Sequence, residues 1–562
     1  QLEQEGFMPN KTTFICILDA CIDSPEGQNQ AKRMHSYIME LGYDSDVKVG
    51  TALINMYGRC GVLEAIRKAY SKLSNWDVVL FTSMIAAYCE HGQFGEAIHF
   101  FTQMLQQSIE PNQVTFVCIL DAYSNYTSST DCKHMHSFIV ENGHGMNVIV
   151  GNALISMYGK LGCLHEAFNM FENLSERTIV SWTAMISVEA QKGQFQVALQ
   201  LFNQMQENGV FPNVVTFISI IDACAIEAAI EVGRLIHMCA LDSGFESDDA
   251  IVNALVNMYG KCGSLEDSKI MFTCISEGSE PVWTSMITVH AQQGEYDQML
   301  ALFDKMEKSG LKPTVMTYIS LLDACSNYAV SLDGECIHSS LITSGCDDDA
   351  NISTALMNMY GRCGNVKAAQ RTFERMSDRN VVSWTSLIAG YAEHGFGEAA
   401  LTCFEKMQHE SIPRDAITFI YILKACSSLG AINKGEEICK EIFQAGLVEK
   451  DIDVGNALLD MYSKCGVLEK ARELFEKLPV RNVVSWSSLI AGYGQLGQAN
   501  MALDVYSRMR SEDVLPNSVT FIVLLNSCSH AGLVKEGEKL FDEMCDVYCL
   551  TPTLEHYTTL PL

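Results

Sequence analysis

Along most of the chain, apolar residues recur at the three- and four-residue steps of an amphipathic helix, in short blocks separated by glycine and polar residues. In the block that begins at Val381, Leu387, Ile388 and Tyr391 fall on one stripe, Leu401, Phe404 and Met407 fall on a second, and Gly395 lies between them. This pattern predicts two short helices joined by a turn. Neither helix can bury its apolar face alone, so such pairs must stack on their neighbours to close a continuous core.

The pairs are copies of one another. The text Asn253-Ala-Leu-Val-Asn-Met-Tyr-Gly-Lys-Cys-Gly263 returns from Thr51, Asn152, Thr354 and Asn456, so successive copies are 101, 101, 101 and 102 residues apart. Two other texts keep the same step. VVSWTSLI from Val381 is echoed from Val78, Ile179, Glu280 and Val483, and Val214-Val-Thr-Phe-Ile-Ser-Ile-Ile-Asp-Ala-Cys224 is echoed from Lys11, Gln113, Val315, Ala416 and Ser518. Each period therefore holds three units of about 35, 35 to 36 and 31 residues. Pro111, Pro212, Pro313, Pro413 and Pro516 punctuate units at one place, where a missing N–H and a restricted preceding residue stop a helix. The fold expected is all-α, an α-solenoid superhelix of stacked helix-turn-helix repeats with a long groove.

Composition narrows the class further. At 562 residues the chain exceeds what one core serves. Its 48% apolar content comes without long apolar runs, which argues against disorder and against membrane spans. Lys and Arg number 38 against 68 Asp and Glu, a formal charge of −30 that opposes indiscriminate binding to polyanions. Any nucleic acid must then be held by a local surface. The 22 cysteines recur with the repeat and do not cluster as a disulfide framework, which fits a reducing compartment. No signal peptide, transit peptide or lipidation motif is visible.

The order of the texts closely resembles the pentatricopeptide repeat family, specifically its plant organellar subclass built from P, L and S units in turn. VVSWTSLIAGYAEHG, AITFIYILKACSSLG and VGNALLDMYSKCG resemble its P, L and S units respectively. In that register, residues 1–10 end a P unit, and L-S-P triplets occupy 11–112, 113–213, 214–314, 315–415 and 416–517. Residues 518–553 resemble a terminal variant L unit and 554–562 a truncated variant S unit. The resemblance implies a fragment whose intact form carries an extension and sometimes a deaminase domain.

Within this register, the fifth residues of S units are Thr51, Asn152, Asn253, Thr354 and Asn456, and those of P units are Thr82, Thr183, Thr284, Thr385 and Ser487. In L units the place is aliphatic: Ile15, Val117, Ile218, Ile319, Ile420 and Ile522. Amides and hydroxyls can match the edge of an unstacked base, and an aliphatic cannot. The resemblance implies that the fifth and last residues read one base together. Thr51 with Asp77 and Thr385 with Asp415 imply guanine. Thr82 with Asn112, Thr183 with Asn213, Thr354 with Asn380 and Ser487 with Asn517 imply adenine. Asn456 with Asn482 implies a pyrimidine and Asn253 with Ser279 a cytosine, whereas Asn152 with Thr178 and Thr284 with Thr314 depart from the favoured pairs. With N opposite each L unit, the implied RNA is G-A-N-Y-A-N-C-R-N-A-G-N-Y-A. The bland alternative is that these groups only cap or solvate helices.

Arg59, Lys160, Lys261, Arg362 and Lys464 follow the S-unit readers by eight residues, hence lie on broadly the same side of the helix, and are expected to contact RNA phosphates, one per triplet. Complementing a helix C-terminus is the alternative, worth about 0.3–1 kcal/mol each. His35, His136, His237 and His338, with Cys439 in the fifth place, recur too far apart to share an ion and read as partly buried packing residues. Cys60, Cys262, Cys363 and Cys465 read as small filler before a turn, and Trp182, Trp283, Trp384 and Trp486 as core.

A zinc deaminase needs His-x-Glu and Cys-x-x-Cys; neither occurs, so no enzyme, metal or cofactor is expected in this chain. The resemblance implies sequence-specific single-stranded RNA binding that selects sites for cytidine-to-uridine editing in mitochondria or chloroplasts, with a deaminase fused downstream or, like other editing factors, acting in trans. A monomer without membrane association is expected. RNA stabilisation or processing, and a protein-binding helical scaffold, are the alternatives.

Overall fold

The computed structural model describes residues 9–20, 27–73, 75–245, 248–273, 279–328, 331–346, 349–376 and 378–560, and every regular element among them is helical. Apart from its last two residues, the P-unit end expected over 1–10 lies outside the described residues. Two compact units, Gln1–Val282 and Trp283–Leu562, share one construction.

In the first unit, Val47–Arg59 pairs with Leu63–Tyr70 as a hairpin, and Val78–Glu90 pairs with Phe94–Gln106. Val47–Arg59 packs on Val78–Glu90, which packs in turn on Gln113–Tyr126. In the second unit Ala350–Arg362, Val381–Glu393 and Ala416–Leu429 stack in the same order, each backed by its own second helix. Within each unit, first helices thus pack on one another in a layer and each second helix packs on its own first helix. Glycine closes the hairpin where the chain needs a left-handed residue, as at Gly263 with φ +77° and Gly395 with φ +78°.

The core follows the repeat. Trp182, Trp384 and Trp486 are buried edge-on against Phe171, Phe373 and Phe475, with centroids 4.8, 4.5 and 4.6 Å apart. Arg177, Arg379 and Arg481 lie over the same phenylalanines at 5.0, 4.8 and 4.9 Å. Their guanidinium groups also donate to carbonyls at the end of the preceding helix. One arginine thereby closes a helix end and seals the aromatic cluster beneath it. The tryptophans are therefore core residues, as the spacing predicts.

The histidine column also packs. His35, His136, His237 and His338 each share a hydrogen bond with the hydroxyl of Tyr57, Tyr158, Tyr259 or Tyr360, at 2.8 or 2.9 Å. Burial pushes the first three imidazoles below their ordinary pKa and lifts the four phenols to about 12. Cys60, Cys262, Cys363 and Cys465 are the residues at which the S-unit first helices end. The Cys262 and Cys363 thiols rest 3.9 and 3.8 Å from the carbonyls of Cys224 and Cys325.

Candidate nucleic-acid interface

The last residue of one unit is the N-cap of the next unit's first helix. Asn112, Asn213, Asp415 and Asn517 accept the N–H of Thr115, Thr216, Thr418 and Thr520 at 2.9, 2.9, 2.8 and 3.0 Å. Asp77, Asn380 and Asn482 do the same for Leu80, Ser383 and Ser485 at 2.8, 3.0 and 3.1 Å. Asp46, Asn147, Asp248, Asp349 and Asp451 cap likewise at the ends of L units. Capping is thus common to all three unit types, at about 1 kcal/mol each. It also orients the side chain. Only oxygen can accept an N–H, so each capping asparagine turns its Oδ1 toward the helix and leaves its NH2 on the other side.

The two irregular pairs cap differently. Thr178 and Thr314 cap with a hydroxyl, whose one oxygen also faces the Ser181 or Thr317 hydroxyl at 3.2 or 2.9 Å. Neither has a second polar atom to offer a base. Asn152, partner of Thr178, keeps a buried Oδ1 without a hydrogen bond.

Each fifth residue of a P unit joins the cap through one intermediary. Thr82, Thr183, Thr284 and Thr385 lie 2.7 Å, and Ser487 2.8 Å, from the hydroxyls of Thr115, Thr216, Thr317, Thr418 and Thr520. In S units the partners differ. Thr51 and Thr354 donate to the carbonyls of Val47 and Ala350, both at 2.8 Å. Asn456 accepts from Ser485 at 2.6 Å and donates to Asn482 at 3.3 Å. Asn253 and Ser279 occupy the equivalent, half-buried places.

Beside these polar pairs runs an apolar column that the helical stripe conceals. Nine of the eleven second residues of the full P units and the L units, Val79, Val114, Val180, Val215, Met316, Val382, Ile417, Val484 and Val519, are between 49% and 61% exposed, Thr12 and Pro281 being the other two. At Thr385 and Asp415 the flanking residues are Val382 and Ile417, and the four line one pocket of about 520 Å³ together with Arg362, Asp323 and Tyr421. The signal was present in the sequence as an apolar residue recurring next to the helix N-cap, but its exposure was not.

The basic column is engaged by local partners. Lys160 lies 2.6 Å from Asp121, Arg362 donates to Asn327 at 2.9 Å, and Lys464 lies 2.8 Å from Asp460. Asp222 and Asp323 have pKa values pushed up by desolvation and drawn back by Lys261 and Arg362. The Lys160 and Asp121 side chains are 46% and 47% exposed, so their pair is worth at most about 1 kcal/mol. A phosphate can therefore compete for these cations. Arg59 is exposed. Among the described residues there is no metal-ligand cluster, and no helix is long and apolar enough to cross a membrane.

A stack of helical hairpins places the chain in the class of helical repeat proteins, and comparison with known proteins names the family. The PPR repeat family model matches residues 76–125, 177–226, 279–327, 379–428 and 481–530, and the PPR repeat model matches 152–179, 352–381, 456–483 and 519–549. Pentatricopeptide repeat-containing protein At5g27110 of Arabidopsis thaliana is 32% identical over 97% of this chain and 79% of its own length. From the same plant, the chloroplastic protein At3g57430 is 32% identical over 98% of this chain and 64% of its own. The mitochondrial protein At2g03380 is 30% identical over 94% and 77%. The chain belongs to the pentatricopeptide repeat family. Among solved structures, PPR10 in complex with an 18-nt psaJ RNA element aligns with TM-score 0.63 and 17% identity, over 97% of this chain and 86% of that one. Maize PPR10 alone aligns with TM-score 0.56 and 19% identity, over 100% and 87%.

Proposed function

We propose that this chain binds single-stranded RNA sequence-specifically, one base per P or S unit, and serves as the site-recognition factor for cytidine-to-uridine editing of organellar transcripts. The observation that carries the reading is the pocket in which Thr385 and Asp415 lie between Val382 and Ile417. A base needs a hydrogen-bonding edge partner and apolar surfaces for its faces, and this geometry supplies both. The units form PLS triplets, and the fifth and last residues, from Thr51 with Asp77 to Ser487 with Asn517, are its readers. Arg59, Lys160, Lys261, Arg362 and Lys464 meet the backbone. A deaminase provided in trans, or by a further part of the protein, performs the reaction. Chloroplast and mitochondrion are both consistent with the relatives' names.

The test is equilibrium binding to G-A-N-Y-A-N-C-R-N-A-G-N-Y-A and to a scrambled control; equal affinity sinks specific reading. Replacing Asn253→Thr together with Ser279→Asn should move preference at that base from cytosine to adenine, and an unmoved preference refutes the register. Transcript sequencing in plants lacking the protein tests editing: at least one organellar cytidine beside a matching sequence should cease to be converted.

A further inference from the structure

The hydroxyls between the fifth and last residues of P units carry a polarity that can be worked out proton by proton. Thr418 has one hydroxyl proton and two lone pairs. It lies 2.6 Å from Asp415 Oδ1, which also accepts the Thr418 N–H, and 2.7 Å from Thr385 Oγ1. A charged acceptor outcompetes a neutral hydroxyl for that proton. Thr418 therefore donates to Asp415, and the contact with Thr385 requires Thr385 to donate to Thr418. Thr385 is left with only lone pairs to present.

The same arithmetic holds with asparagine. Thr115, Thr216 and Thr520 donate to the Oδ1 atoms of Asn112, Asn213 and Asn517 at 3.0, 2.8 and 3.0 Å. They also accept the backbone N–H of these asparagines at 3.3, 3.3 and 3.2 Å. Their remaining lone pair faces Thr82, Thr183 or Ser487; Thr183 and Ser487 must supply the proton, whereas Thr82 also has the Val78 carbonyl at 2.7 Å as an acceptor for its one proton. Thr183, Thr385 and Ser487 are thus acceptors, and the last residue decides what stands beside each. With Asp415 it is the second carboxylate oxygen, another acceptor. With an asparagine it is an NH2, a donor.

We propose that the third-position threonine of an L unit, at Thr216, Thr418 and Thr520, is a specificity-determining residue for the base met by the preceding P unit. It fixes the fifth residue as an acceptor and holds the last residue with one chosen atom outward. An acceptor beside an acceptor suits guanine, whose Watson–Crick edge presents adjacent N1–H and N2–H donors. An acceptor beside a donor suits adenine, with its N6–H donor and N1 acceptor. A single exchange of oxygen for NH2 at the last residue then switches the purine, provided the threonine keeps the fifth residue's polarity constant.

This inference rests on the RNA reading above, and the experiment separates the two. Affinity is measured for four RNAs that differ only at the guanine opposite Thr385, using the full chain and its Thr418→Val, Thr418→Ser and Thr385→Asn variants. Valine keeps the shape and the cap N–H but removes the relay. The guanine-over-adenine ratio, about tenfold or more in the parent, should fall to about twofold in Thr418→Val and be retained in Thr418→Ser. Uniform weakening for all four bases would make Thr418 merely structural and overturn the proposal. So would an unchanged ranking, as would follow if Thr385 turned its proton to its own helix, in the manner of Thr354. If Thr385→Asn shifts the ranking in either of those cases, base reading survives without the relay. If Thr385→Asn shifts nothing, the reading itself fails. Thermal unfolding of each variant confirms that the fold is intact.

Discussion

Gly159 and Gly361 occupy the same place in two S units, one residue before the basic column, where the first helix crosses that of the following P unit. A Cβ added at Gly159 would meet the two methyls of Val188 at 2.2 and 2.8 Å, whereas at Gly361 the nearest atom is Gly390 Cα at 3.4 Å. The same substitution should therefore have opposite signs. Val188 is buried and β-branched, so it cannot swing away cheaply. Overpacking of this kind costs up to about 3 kcal/mol, offset by about 1 kcal/mol of helix propensity, so Gly159→Ala should destabilise its junction by about 2 kcal/mol. Gly361→Ala keeps the propensity gain without the clash, up to about 1 kcal/mol of stabilisation. A repeat array need not unfold in one step, so a single melting midpoint is the wrong measure. Amide hydrogen exchange reads each junction separately: protection in Val148–Lys160 should fall about 30-fold in one variant, and protection in Ala350–Arg362 should rise up to about fivefold in the other. The fifth S unit shows how such a junction adjusts, since Ser463 there faces Gly492. Gly159→Ala combined with Val188→Gly should accordingly recover most of the lost protection. If both single variants shift protection alike, or the double variant recovers nothing, the crossing is not set by these contacts.

Two further outcomes follow from the charges. Lys160→Gln should lower the salt slope of RNA binding by roughly 0.7–1 while leaving stability unchanged, because its pair with Asp121 is exposed; an unchanged slope would assign Lys160 to its helix end. The histidine column predicts acid sensitivity. With folded pKa values held below the ordinary 6.5, the unfolded chain binds protons first, so stability is complete above about pH 6.5 and declines as pH falls through the folded values. Urea unfolding at pH 7.5 and 5 should show a smaller loss in His136→Cys, which copies Cys439 beside Tyr462, than in the parent; equal losses would place the acid response elsewhere.

The period and the helical hairpins were legible because each rests on side-chain spacing within one helix. What the fifth column means was less so, because in P units its hydrogen bonds are made across a junction to a residue about 33 positions away. The aliphatic fifth residues of L units illustrate the difficulty. From sequence, their contrast with the polar fifth residues of P and S units favours base reading over helix capping. In the structure the third residues of the following S units, Val49, Val150, Ile251, Ile352 and Val454, are buried aliphatics, while those after P units are threonines. An L-to-S junction is therefore apolar at the place where a P-to-L junction is hydrogen-bonded. Part of the contrast in the fifth column is thus a packing match between neighbours, independent of any ligand. The basic column misleads in a similar way, since the partner of Lys160, Asp121, sits 39 residues earlier on the neighbouring helix. Position in the repeat locates a polar group on the interface, but its partners across the junction decide which atom is left to meet an RNA. Under the proposed RNA reading, the base preferred at a P unit follows from three residues, the fifth, the last and the third of the next unit, and not from the first two alone.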